Sequence, residues 1–280
     1  ELSSLLGDPG KVDVSQAAIL AHAYDWWPLA GKWRQQGLSP CTPDVVVYPA
    51  SAADVSAVLS WANAEHIAVT AWGLGSSVVG QPLAEYGGIS LDLSRMNRIL
   101  GIDERNLVVS VEAGINGGML EERLNALGYT LNHSPQSLHR SSVGGWLATR
   151  ATGQFSSRYG GIEDLCYALT WMLADGSEVS SVSVPRMAVG PDLRHMLIGS
   201  EGCLGVVTEA TLKIFPLAES RSYETIDFPN VEAGVDALRA TMAKGLRPFL
   251  LMFYDTAEAR HAMKDPAYPT PVMFVGAEGV

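Results

Sequence analysis

The stretch VVVYPASAADVSAVLSWANAEHIAVTAWGLGSSVVG, residues 45–80, sets how the rest of the chain is read. Val45 to Pro49 is a β-branched run closed by proline, the pattern of a short strand. Ser51 to Asp54 has the form of a capping box, with a carboxylate at the third helical position. Val55, Val58, Leu59 and Ala62 then recur at helical spacing. Ile67 to Ala71 is a second apolar run, and a turn rich in glycine and serine follows it directly. The reading is a β-α-β unit whose second strand ends in that turn.

The turn fails two phosphate fingerprints. Gly73, Gly75 and Gly80 do not make GxGxxG, because the third glycine comes two positions late. No GK[ST] follows, so a Walker loop is excluded. Gly73 to Ser77 is still a run of small residues whose backbone N–H groups can face an anion without a lysine. The alternative is an ordinary strand-to-loop turn in which glycine supplies a positive φ. Two further Gly/Ser stretches, SSVGGW (141–146) and GSEGCLG (199–205), suggest one long ligand touched at several places, as a dinucleotide would be.

The composition narrows the class. Of 280 residues, 47% are hydrophobic and 18% charged, and 19 basic against 30 acidic side chains leave a net charge of −11. That balance argues against nucleic acid and anionic membranes as partners; an anionic small molecule held by backbone N–H groups stays open, and the partner expected is a small-molecule substrate. No run approaches the roughly 18–20 consecutive apolar residues of a membrane helix. The opening ELSSLLGDPG has neither a basic nor an apolar signal region. Cys41, Cys166 and Cys203 are odd in number, far apart and without CxxC, which predicts neither disulfide nor zinc site and points to a reducing, cytoplasmic compartment. His22, His66, His133, His139, His195 and His261 form no HExxH or HxH pair, so no metal centre is expected. No G-x-S-x-G elbow is present.

Residues 1–43, with three tryptophans in HAYDWWPLAGKWRQQGL, read as an arm packed on the surface. GISLDL (88–93) and LVVSVEAG (107–114) continue the strands. Asn116 is placed to cap a helix that carries Leu120, Leu124 and Leu127 on one face and ends at Gly128. SVGGWLATRA (142–151) reads as a helix start whose two glycines each weaken it by about 1 kcal/mol, the mark of a close approach to backbone or ligand. CYALTWMLADGSEVSS predicts a hairpin turning at Asp175-Gly176, and GVVTEATLKIFP (205–216) a strand ended by Pro216. After residue 217 come a strand in SYETIDF, a helix marked by Val231, Val235, Leu238 and Met242 and ended by Gly245, and strands in PFLLMFYD and PVMFVGAEGV. This last unit is expected to be too short to close its own core.

PDVVVYPASAADVSAVLSWANAEHIAVTAWGLGSS (43–77), SPQSLHRSSVGGWLATRATGQFSSRYGGIEDL (134–165) and PRMAVGPDLRHMLIGSEGCLGVVTEATLKIFP (185–216) resemble the FAD-binding, PCMH-type domain of the vanillyl-alcohol oxidase superfamily. Within it they are most similar to the alkylglycerone-phosphate synthases and their bacterial relatives. The resemblance implies an α+β fold: an arm over 1–43, a two-subdomain FAD domain over 44–217, and the beginning of an α/β cap or substrate domain over 218–280. It implies that Ala71, Trp72, Gly73, Leu74, Gly75, Ser76 and Ser77 wrap the FAD diphosphate. Pro135, Gln136, Ser137, Leu138, His139, Arg140 and Ser141 would run along the flavin end. Ala148, Thr149, Arg150 and Ala151 would follow, and Glu201, Gly202, Cys203, Leu204, Gly205, Val206 and Val207 would give the last cofactor stretch. His133 matches a family histidine near the flavin and is the catalytic candidate; the alternative is a satisfied loop histidine.

Some members of the superfamily hold FAD covalently through His or Cys. The Gly-rich turn here has no His and 129–145 no Cys, so non-covalent FAD is expected, with Cys166 and Cys203 as small buried hydrophobes. Arg150 and Arg158 could offset cofactor charge or form structural ion pairs. The activity implied is that of an FAD-dependent oxidoreductase, with hydride transfer from a hydroxylated substrate to flavin N5. The alternatives are an ether-lipid transferase of the alkylglycerone-phosphate synthase type, or a catalytically silent FAD-binding fragment. Relatives of the ether-lipid enzyme carry a substrate-phosphate arginine in a P-x-x-x-R context. Here Met252 stands at that place, and Arg247 precedes the proline. A homodimer is expected only because relatives form one.

Overall fold

The computed structural model describes residues 1–279. Its first sheet is built on the opening stretch. Strands β1 (Val12–Asp13), β2 (Val45–Val47), β3 (Val69–Trp72) and β4 (Ile89–Asp92) are arranged in the order β1-β2-β4-β3. β2 and β3 both run parallel to β4, and β1 closes the edge antiparallel. The β-α-β reading therefore holds in direction, but β4 lies between its two strands. Helix α1 (Ala52–Ala64) makes the crossover and buries Val55, Val58, Leu59 and Ala62. Ser51 caps it, accepting the Asp54 N–H at 3.2 Å. The Asp54 carboxylate reaches back to the Ala50 N–H (2.8 Å), one residue upstream of the expected box, and also pairs with Lys11 at 2.9 Å.

The second sheet is antiparallel, in the order β5 (Ile99–Asp103), β6 (Val108–Glu112), β10 (Val206–Lys213), β8 (Cys166–Met172), β9 (Glu178–Ser180). Beside it β7 (Tyr129–Thr130) pairs with β11 (Phe215–Pro216), so Pro216 sits in a short ladder rather than simply ending β10. Helix α2 (Gly117–Asn125) is capped by Asn116 and buries Leu120 and Leu124. Leu127 falls beyond its last turn and is exposed, and Gly128 takes the expected left-handed φ of +82°. Helix α3 (Val143–Thr149) packs against β10. One continuous apolar core runs through both sheets and these helices. Ser56 and Ser60 of α1 donate to the carbonyls of Gly176 (2.6 Å) and Asp175 (2.8 Å), which fixes the β8–β9 turn against the first sheet.

Residues 1–43 are more than a surface arm. They supply β1, put Leu2 and Leu6 into the main core, and bury His22, Ala23 and Ala30. The last unit is a three-stranded sheet, β12 (Ser220–Asp227), β14 (Val272–Gly279), β13 (Leu250–Tyr254), in that order, with helix α4 (Val231–Ala243). β12 is exposed along almost its whole length. A polar joint ties this sheet to the rest. Arg221 donates to Glu278 (3.1 Å) and to Asn132 Oδ1 (2.8 Å), Arg158 faces Glu278 at 3.4 Å, and Tyr159 hydrogen-bonds Glu278. Arg158 is thus a structural partner in that joint.

Candidate cofactor site

A cleft opens between the two main sheets, and the turn after β3 forms its floor. Gly75 has φ +64°, and a Cβ there would enter the Trp72 indole; a Cβ on Gly73 would stand 2.5 Å from Ser142 Oγ. The turn therefore needs glycine for both conformation and space. Among the described residues, the half-buried N–H groups of Gly73, Leu74, Gly75, Ser76 and Ser77 have no acceptor in the protein. Backbone N–H groups are rarely left unpaired where water is restricted. Five in succession at a cleft wall form an oriented set of partial positive charges, suited to an anion.

The facing wall is the start of α3, and its donors are already used. The Val143 N–H goes to Ile115 O (3.1 Å), Gly144 N–H to Ala113 O (2.7 Å) and Gly145 N–H to Ser142 Oγ (3.3 Å). Gly144 is needed for approach to backbone, since a Cβ would lie 2.9 Å from Ala113 Cβ, whereas a Cβ on Gly145 would meet only Ser142 Oγ, at 3.3 Å; both glycines line the cleft. The third wall is the turn 199–205. It is sewn to α3 by Gly199 N–H to Leu147 O and Glu201 N–H to Ala148 O, both 2.9 Å. Gly199 and Gly202 have φ +84°, and Glu201 a left-handed φ of +53°. Glu201 is the only ionisable side chain among the lining residues. The donors that the described residues offer to an anion here are amide dipoles and hydroxyls.

The expected site residues divide cleanly. Ala71, Trp72, Gly73, Leu74, Gly75, Ser76 and Ser77 all line the cleft, as do Ser137, Ser141, Ala148, Thr149, Ala151, Glu201, Gly202, Gly205, Val206 and Val207. Gln136 lines an adjoining cavity, and Cys203 and Leu204 face other hollows. Pro135, Leu138, His139 and Arg140 line none of these; the Arg140 guanidinium sits 5.2 Å from the Trp26 ring centroid. Arg150, with φ +52°, donates to Ile198 O at 3.3 Å and braces the third wall. Cys166 is buried and its thiol is pushed up to about 12 by burial, but Cys203 is exposed, against expectation, because its turn projects outward. Ser142, Gly144, Gly145, Trp146 and Ser200 also line it and fall inside the two Gly/Ser stretches read from the sequence, whereas Gln81, Pro82, Leu93 and Leu197 belong to the lining and were not expected.

Residues 43–181 match the family described as FAD binding domain. They are an FAD-binding domain. An alkyldihydroxyacetonephosphate synthase of Caenorhabditis elegans is 38% identical over 225 residues, 79% of this chain and 38% of that protein. An uncharacterised FAD-linked oxidoreductase of Escherichia coli K12 is 37% identical over 239 residues, 85% of this chain and 49% of that protein. A solved alkyldihydroxyacetonephosphate synthase superposes with TM-score 0.87 at 26% identity, over 97% of this chain and 53% of its own. The chain thus spans about half or less of the relatives it matches. FAD is the cofactor of such a domain, and the cleft suits it: a turn with no room for a side chain at Gly73 or Gly75, five free N–H donors, and no lysine or arginine among the lining residues.

Within the FAD-binding domain His133 lies behind the cleft wall. It is 2% exposed, neither ring nitrogen has a partner among the described residues, and its ring meets Trp146 edge-on at 4.7 Å. Burial pushes its pKa down to about 4, so the imidazole is neutral at pH 7. It lines none of the cavities around the site.

A second cavity shares Ser76 and Ser137 with the cleft. It runs to the last sheet, where Leu251 and Met252 close it, and Val78 and Gln136 line its sides. No charged side chain is among its lining residues. No helix of the described residues is long and apolar enough to cross a membrane.

Proposed function

We propose that this chain is the cofactor-binding part of an FAD-dependent oxidoreductase that acts on a hydroxylated small molecule. When bound, FAD supplies a hydride acceptor. The chain's own part would be to hold the diphosphate at Gly73–Ser77, to line the rest of the cofactor cleft with residues such as Ser137 and Ser141, and to shape the adjoining cavity. The observation that carries this reading is the neutrality of that cavity. A phosphorylated ketone substrate is best held by a cation; Met252 is not one, and the polar part of the cavity lining is uncharged, made of hydroxyls such as those of Ser134, Ser156 and Ser157. The transferase reading draws on the identity to alkyldihydroxyacetonephosphate synthases, and the cavity chemistry ranks it second.

The test is anaerobic addition of uncharged alcohols to the purified, FAD-loaded protein. Loss of the yellow flavin absorbance is the expected result. Exchange of a fatty alcohol onto acyl-dihydroxyacetonephosphate, with no such loss, would overturn the ranking in favour of the transferase. We further infer a division of the chain near residue 217, where the second sheet has ended and the last one begins. Three free cysteines support a reducing, cytoplasmic setting. A homodimer is part of the same proposal, checked by light scattering.

A further inference from the structure

The cofactor turn is not self-supporting. It leaves five donors free for the ligand, so something else must hold its shape. The structure shows what does. The Trp26 N–H donates to Ser77 O at 2.8 Å. Asp25 Oδ2 accepts the Gly80 N–H at 2.8 Å while its Oδ1 accepts the Trp27 N–H at 2.9 Å. The Trp27 ring lies on Gly80, where φ is +80° and a Cβ would stand 2.6 Å from the indole. Trp27 also joins Trp72, Ala30 and Leu83 in a small apolar cluster separate from the main core. From the other side of the cleft, Arg140 stacks on the Trp26 ring at 5.2 Å.

The segment is anchored in turn. His22 bridges Ala18 O (2.8 Å) and Asp92 (2.9 Å), and its ring packs on Trp72 at 4.6 Å. All of these arm residues lie before residue 43, outside the matched FAD-binding domain. We propose that His22–Trp27 is a positioning clamp that joins the cofactor turn 73–80 to the turn 138–140 and sets how tightly FAD is retained. This rests on the cofactor assignment above. None of the clamp side chains lines the cleft, so their effect on FAD passes through the backbone of the turn they hold. An array of donors binds an anion well only if its geometry is fixed beforehand.

The experiment is FAD titration by flavin fluorescence, with the flavin release rate and the melting temperature of the FAD-free protein measured alongside. Asp25→Ala removes two charge-assisted hydrogen bonds and is expected to weaken FAD binding about tenfold or more. Trp26 is 58% exposed, so Trp26→Ala should fold normally. It is expected to speed flavin release about threefold at an unchanged melting temperature, and Trp26→Phe should restore the rate. If Asp25→Ala does not fold, the Trp26 pair decides the question. Wild-type FAD affinity and release in both alanine variants would overturn the clamp, as would a fall in melting temperature with no change in binding. A wild-type protein that binds no FAD would instead overturn the cofactor assignment.

Discussion

Two glycine-rich stretches face each other across the cleft, and their hydrogen bonding is opposite. In the turn 73–77 no N–H group has a protein acceptor; at the start of α3 the N–H groups of residues 143, 144 and 145 are all taken. Composition and position do not separate them, since both are small-residue segments at the cleft wall. An accounting of donors does. The first stretch is shaped for a ligand, and the second mainly for close packing of a helix on a strand end.

The sharpest way to break this contrast is Gly75→Asp. The substitution puts a side chain at φ +64° against the Trp72 ring and a carboxylate beside the free donors. FAD affinity should fall on the order of a hundredfold or more, because one anion then faces another where water is restricted. Equilibrium dialysis against FAD checks it; normal retention would show that the diphosphate lies elsewhere.

His133 tests the helix side of the contrast through pH. The unfolded chain takes up a proton on this group near 6.5, but the folded chain only near 4. Its contribution is therefore fully present above about pH 6.5 and is lost as pH falls to about 4. The total is about 3 kcal/mol, the free energy that separates those two affinities. His133→Phe should keep a ring against Trp146 and remove this slope. The check is urea unfolding at pH 7 and pH 4.5: the variant should gain stability relative to wild type at the lower pH. Parallel behaviour at both pH values would mean that the imidazole is not the group opposing acid.

The outcome also shows how far sequence alone reaches. Val45–Pro49, Ser51–Asp54 and the apolar positions of α1 were legible because local pattern and tertiary demand agree there. The insertion of β4 between β2 and β3 was not, since strand order depends on contacts far apart in the chain. The site was legible where it is local: all seven residues 71–77 line the cleft. It was less so in 135–141, where a short helical turn sends Leu138 inward and Arg140 outward to Trp26. For Arg150 and Arg158 the sequence left cofactor charge and structural pairing both open, because their partners Ile198 and Glu278 lie far along the chain. The arm was misjudged for the same reason. Nothing in HAYDWW announces that Asp25 accepts an N–H from residue 80.

The finest distinction lies between the adjacent glycines of α3. Gly144→Ala would push a methyl to 2.9 Å from Ala113 Cβ and 3.0 Å from its carbonyl oxygen. That should destabilise the FAD-free protein by about 1–3 kcal/mol, as overpacking does, while the protein that remains folded binds FAD at close to wild-type affinity. Gly145→Ala meets only Ser142 Oγ, at 3.3 Å, at a residue of the cleft lining where no backbone stands in the way. Helix propensity then works in its favour, so the FAD-free protein should gain up to about 1 kcal/mol, and FAD affinity should drop by a few-fold. Thermal melts with and without FAD give both numbers for each variant. If both alanines lower FAD affinity alike, the wall is not divided between packing and binding, and the start of α3 then touches the cofactor along its first turn.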